Sequence, residues 1–115
     1  MELQNVMMCN GYFSLLALAS AAIWTGSAHA APDMQALAEK SGCFSCHSMQ
    51  TKVIGPAFVD VAAKYKGDAD APARLAQKVR EGGKGTWGRI PMPPHPNLKE
   101  DEARQLVNWV LSAGS

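Results

Sequence analysis

Charge of either sign is almost missing from the first 30 residues, where Glu2 is the one charged side chain. Further on there is no strong imbalance. Residues 31 to 115 carry 11 basic and 9 acidic groups, which excludes a strongly basic nucleic-acid binder and an acidic disordered tail. Large apolar side chains are also few. The chain is 47% apolar, yet 19 of its 54 apolar residues fall within residues 1 to 30, and 12 of the other 35 are alanines. The 23 larger ones that remain are thin for one core and exclude a second. No alternating β-branched run of strand length is present, and no internal repeat, low-complexity tract or linker. Residues 31 to 115 therefore make one domain without a sheet, and something other than protein is expected to fill part of its interior.

What the first 30 residues do have is an uncharged stretch, Gly11 to Ile23, followed by Ala28-His29-Ala30. This is an apolar core and a small-x-small cleavage site, which marks residues 1 to 30 as a signal peptide cut before Ala31. A membrane-spanning helix needs roughly 20 apolar residues, and this stretch reaches that only if Met7 to Trp24 is counted generously, with Asn10 included. The segment lacks Lys and Arg ahead of the apolar core, although Met7 or Met8 offers an alternative start. Cys9 precedes the apolar run and has no role. Export to an oxidising compartment, the periplasm, leaves two further cysteines that must be paired or otherwise occupied.

Helical spacing recurs in Met34, Leu37 and Ala38, in Phe58, Val61, Ala62 and Tyr65, and in Ala103, Leu106, Val107, Val110 and Leu111, following the i, i+3, i+4, i+7 rule. Asp33 is placed to cap the first helix and Gly42 to end it. Gly67 ends a second, and Asp70 with Pro72 opens a third that stops at Gly82-Gly83. Asn97 with Glu100 has the form of a capping box for the last helix. The fold class is all-α, with four or so short helices. Between Gly83 and Asn97 lie four prolines and three glycines, too irregular for helix or central strand, and a long irregular segment in so small a domain is usually functional.

The chemistry sits at Cys43-Phe44-Ser45-Cys46-His47, a Cys-x-x-Cys-His element of the kind that attaches haem covalently. Two thiols one turn apart can add across the two vinyl groups of one porphyrin edge, forming thioethers, and the adjoining imidazole then supplies an axial nitrogen to the iron. A thioredoxin-like pair would need a strand-to-helix setting in an α/β chain. Zinc would need further ligands, yet no cysteine follows Cys46 and His95 is the only other histidine there. A plain disulfide across so short a loop would leave His47 unexplained.

A second axial ligand follows by elimination. Met49 is too close to His47 in the chain to cross to the other haem face, and Met34 occupies an apolar position on the first helix. Met92 lies in Ile90-Pro91-Met92-Pro93-Pro94, where prolines fix the backbone and remove N–H donors, so that a thioether is presented with little entropy to lose. His95 is the rival, and would give a bis-His site of lower potential.

Residues 33 to 113 resemble the small monohaem class I cytochromes c of bacteria, of the cytochrome c-551 type. The resemblance rests on Cys43 to His47, Gly55-Pro56, Phe58 to Tyr65, Gly85-Thr86-Trp87-Gly88, Ile90 to Pro94, and Asp101-Glu102-Ala103 leading to Trp109-Val110-Leu111. It implies one covalent haem c with iron, His47 and Met92 as its axial pair, and Cys43 and Cys46 as its anchors. It implies that Pro56 offers its carbonyl to the other ring N–H of His47, and that Trp87 donates its indole N–H to a haem propionate; simple packing is the alternative for Trp87. Trp109 is expected in the core. Where the family commonly has Asn beside the methionine, this chain has His95, and where it often has Arg near the propionates, it has Lys78. Both departures bear on the potential.

With both axial positions filled, the iron offers no site to a substrate, which suits a one-electron carrier and not an enzyme. Between Lys40 and Arg89 there are nine basic residues against four acidic; these form either a solvated helical surface or a rim that steers the protein to redox partners with acidic docking surfaces. The resemblance implies a monomeric periplasmic carrier, free of the membrane once cleaved, that links a quinol-oxidising complex to a terminal reductase such as nitrite reductase or an oxidase. Two alternatives remain open at this point: a small-ligand sensor or peroxidase in which Met92 leaves the iron, and a bound electron-transfer subunit of a larger enzyme.

Overall fold

The structure is a computed structural model that describes residues 32 to 115; the export segment expected in residues 1 to 30 lies outside the described residues. Four α-helices are formed: α1 (Met34–Lys40), α2 (Phe58–Lys64), α3 (Ala71–Glu81) and α4 (Glu100–Leu111), with a 3-10 turn at Cys43–Ser45 between the first two. The all-α expectation holds. No helix among the described residues is long and apolar enough to cross a membrane.

Local chemistry explains most boundaries. The Asp33 carboxylate accepts the Ala36 N–H at 3.1 Å and starts α1, a cap that contributes about 1 kcal/mol. Pro72 sits in the first turn of α3, where a missing N–H costs nothing. Asp70 holds the N-cap position but its side chain makes no capping bond. Asp68 acts in its place: one carboxylate oxygen accepts the Asp70 N–H at 3.0 Å, and the other takes Arg74 at 2.6 Å. The start of α4 corrects the expected Asn97 and Glu100 box by two residues. The N-cap is Lys99, and the Glu102 carboxylate accepts its N–H at 2.9 Å, with Glu100, Asp101 and Glu102 all in the first turn where the helix dipole favours negative charge.

α4 is the hub, touching α1, α2 and α3. The core beneath it is made of Ala38, Ala76, Leu98, Ala103, Leu106 and Val107. Ala38 and Ala103 are almost fully enclosed, so α1 and α4 meet through small side chains. Met34 packs on the rim of this cluster, in keeping with its expected core role. Of the eleven buried apolar residues of the described chain, six are alanines. The side of the helices that large residues would fill in an ordinary bundle instead faces a cavity.

Candidate functional site

The Cys43–Ser45 turn places the two cysteines three residues apart on one helical turn, closed by bonds from Cys46 N–H (3.2 Å) and His47 N–H (3.0 Å) to the Cys43 carbonyl. The chain then loops back. The Ile54 and Gly55 N–H groups both donate to the Cys46 carbonyl, at 3.2 and 2.8 Å, which brings Gly55-Pro56 against the His47 ring. A Cβ added at Gly55 would lie 2.5 Å from Cε1 of His47, so only glycine lets the backbone pass so close to the imidazole. The Pro56 carbonyl lies 2.7 Å from Nδ1 of His47. A carbonyl only accepts, so Nδ1 carries the proton and Nε2 keeps its lone pair, as a metal ligand requires. Phe58 stacks on His47 with centroids 5.3 Å apart, and makes edge-on contacts of its own with Phe44 and Trp109, each at 5.7 Å. Trp109 is thus part of the wall behind the ligand.

Met92 is held from α3. Gly83 and Met92 form an isolated antiparallel bridge, with Gly83 N–H to the Met92 carbonyl at 3.1 Å and Met92 N–H to the Gly83 carbonyl at 2.8 Å. The segment between them curls over the cavity. Lys78 donates to Thr86 Oγ1 at 2.8 Å, and the Lys64 ammonium lies 5.3 Å from the Trp87 ring centroid. Gly82-Gly83 reads in the sequence as a helix stop, and its pairing with Met92 is not legible there, because a long-range backbone bridge leaves no mark in composition or spacing.

A single cavity of about 470 Å³, within the usual range for ligand pockets, is lined by Cys43, Cys46, His47, Pro56, Lys78, Trp87 and Met92 together. All seven residues singled out from the sequence meet there. His95 does not line it. Its backbone N–H donates to the Val79 and Arg80 carbonyls at 3.1 and 3.2 Å, and its Nδ1 lies 3.3 Å from the Val79 carbonyl, so it caps the end of α3. The charged side chains on the lining are Lys52, Lys78, Lys84 and Arg89, and no carboxylate is among them. Val53, Ile54, Trp87 and Ile90 are exposed beside them, Ile90 to 68%. Both cysteines are free thiols, and burial pushes the Cys43 thiol above its ordinary range, which keeps it protonated at neutral pH.

The lining fits a covalently attached haem: two free thiols on one turn, an imidazole with its lone pair available, an apolar chamber and a glycine cradle behind the ligand. The cavity thus defines the class as a helical haem protein of the Cys-x-x-Cys-His type. The cytochrome c family model matches residues 31 to 114, and the chain belongs to the cytochrome c family. It is 44% identical over 100 residues to cytochrome c-551 of Pseudomonas aeruginosa, covering 87% of this chain and 95% of that protein. It is 46% identical over 94 residues to cytochrome c-552 of Nitrosomonas europaea, covering 82% and 88%. The crystal structure of wild-type Nitrosomonas europaea cytochrome c552 superposes with a TM-score of 0.66, covering 69% of this chain and 98% of that one. The chain is therefore a small all-α electron-transfer protein that carries one covalent haem c.

Proposed function

We propose that this protein is a periplasmic one-electron carrier that shuttles between a quinol-oxidising complex and a terminal reductase such as nitrite reductase or an oxidase. The observation that carries the reading is the convergence of Cys43, Cys46, His47 and Met92 on one apolar cavity. The bound haem supplies an iron that alternates between ferric and ferrous. Cys43 and Cys46 would hold the porphyrin through thioethers. His47, oriented by Pro56 and backed by Phe58, would hold the iron through Nε2, and Met92 would hold it through sulfur. Sulfur ligation favours the reduced iron and raises the potential. Lys78 and Trp87 line the same cavity and would serve the propionates, Lys78 with its positive charge. Both His47 and Met92 come from firmly held backbone, so the chain would need to move little as an electron is gained or lost.

Residues 1 to 30 act as a cleaved signal peptide, and the mature chain works as a monomer. Its docking face is the cavity mouth, where Val53, Ile54 and Ile90 are exposed among Lys52, Lys84 and Arg89 with no carboxylate on the lining. That pattern suits a partner with an apolar centre and an acidic rim. The test joins intact mass of the exported protein with stopped-flow kinetics. The reading expects cleavage before Ala31, one haem per chain, and reversible electron exchange with an acidic redox protein at a rate that falls as salt is added. A salt-independent rate would contradict the docking face, and a retained N-terminal segment would contradict the free carrier.

A further inference from the structure

The chain leaves α3 through Gly82, whose φ of 77° and ψ of −178° fall in a region essentially reserved for glycine. Gly82 is also in direct backbone contact with the segment that bears Met92. A Cβ there would lie 2.7 Å from the Met92 carbonyl oxygen, 2.9 Å from the Pro94 nitrogen and 3.2 Å from the Pro93 carbonyl carbon. All three are backbone atoms, which cannot swing aside as a side-chain tip can. Gly83 then pairs both its polar backbone groups with Met92. Three residues past Met92, the His95 N–H joins the carbonyls of Val79 and Arg80. The end of α3 thus grips the methionine segment at Met92 and over the three residues that follow it. Pro91, Pro93 and Pro94 have no N–H to offer, so Met92 and His95 are the points at which this stretch can be tied by its own amides.

We propose that Gly82 and Gly83 are positioning residues for Met92: the glycine pair at the end of α3 sets where the thioether is held, and so how firmly it stays on the iron. The inference rests on Met92 being the sulfur ligand. It predicts a specific linkage. A side chain at Gly82 adds, to the strain of its backbone conformation, a clash that exists only while the Met92 segment is docked, and that clash is released when the segment lifts. Gly82→Ala should therefore raise the population with Met92 off the iron, by about tenfold or more. Gly67 is the control, because its φ is 80° but a Cβ there meets nothing within 4 Å. Gly67→Ala imposes backbone strain without touching Met92.

The experiment uses the haem-loaded unmodified protein, Gly82→Ala and Gly67→Ala. It reads carbon monoxide binding by the ferrous form and the alkaline pH at which the sulfur-to-ferric-iron charge-transfer band disappears. The inference expects Gly82→Ala to bind carbon monoxide about tenfold faster or more and to lose the band at lower pH, while Gly67→Ala matches the unmodified protein in both. A band absent from the unmodified protein would overturn Met92 ligation and the inference with it. A band present in all three, with equal carbon monoxide rates, would overturn the positioning role and leave the ligation intact. Should Gly82→Ala fail to accumulate, amide hydrogen exchange in the unmodified protein decides: slow exchange at both Gly83 and Met92 supports the bridge, and exchange as fast as at exposed Lys84 overturns it.

Discussion

Nδ1 of His47 donates to the carbonyl oxygen of Pro56 across 2.7 Å, and the residue before that proline lies so close to the ring that it has no room for a methyl group. The imidazole is thus fixed in tautomer by one residue and in position by its neighbour. Gly55→Ala must push either the ring or the loop aside, an overpacking cost of about 1 to 3 kcal/mol. Thermal unfolding of the haem-loaded variant should show a lowered midpoint. A midpoint equal to that of the unmodified protein would show that the loop yields freely.

The small core has a consequence for the haem-free chain. Apart from Pro56, the buried apolar residues larger than alanine among the described residues are Phe58, Val61, Leu98, Leu106 and Val107, and an apolar chamber opens beside them. Cys43→Ala combined with Cys46→Ala removes both covalent anchors. Prepared in the absence of haem, that chain should be largely unfolded by far-UV circular dichroism, without a cooperative thermal transition. A native-like cooperative melt would mean that the protein core suffices alone.

The electrostatic rim makes a separate prediction. Arg89→Glu places a carboxylate on a cavity lining that has none. Electron exchange with an acidic redox protein should slow by about tenfold at low ionic strength, and the difference should shrink as salt screens the charges. A rate unchanged at low salt would place docking elsewhere.

Acid stability turns on Asp68. Its hydrogen bond from Arg74, first, holds the carboxyl below the usual carboxylate range. A carboxyl whose value is lowered by folding stabilises the protein above its unfolded value, and that contribution is lost as pH falls through the folded value. Asp68→Asn should therefore reduce stability at neutral pH slightly, because the pair is exposed, and flatten the acid side of the stability profile. Profiles of identical slope would remove Asp68 from the acid response.

Much of the architecture was readable in advance because its signals are local. Asp33 and Pro72 act within a turn of themselves, and Cys43 to His47 carries its chemistry in five consecutive residues. The start of α4 was misplaced because Lys99 is not among the residues that usually cap a helix, whereas Asn97 is. The same limit hid the Gly83 and Met92 bridge, whose partners are brought together by the path of the chain and by no pattern within it. His95 shows the point most clearly: its spacing allowed it to rival Met92, and only its bonds to the end of α3 draw it away from the cavity.

The central claim is that Met92 sulfur and His47 together close the iron. The direct measurement is the absorption spectrum of the oxidised protein at neutral pH, beside that of Met92→Ala. The account predicts a sulfur-to-ferric-iron charge-transfer band in the unmodified protein that is absent from the variant. A spectrum that is the same in both would contradict it, and would return His95 to consideration.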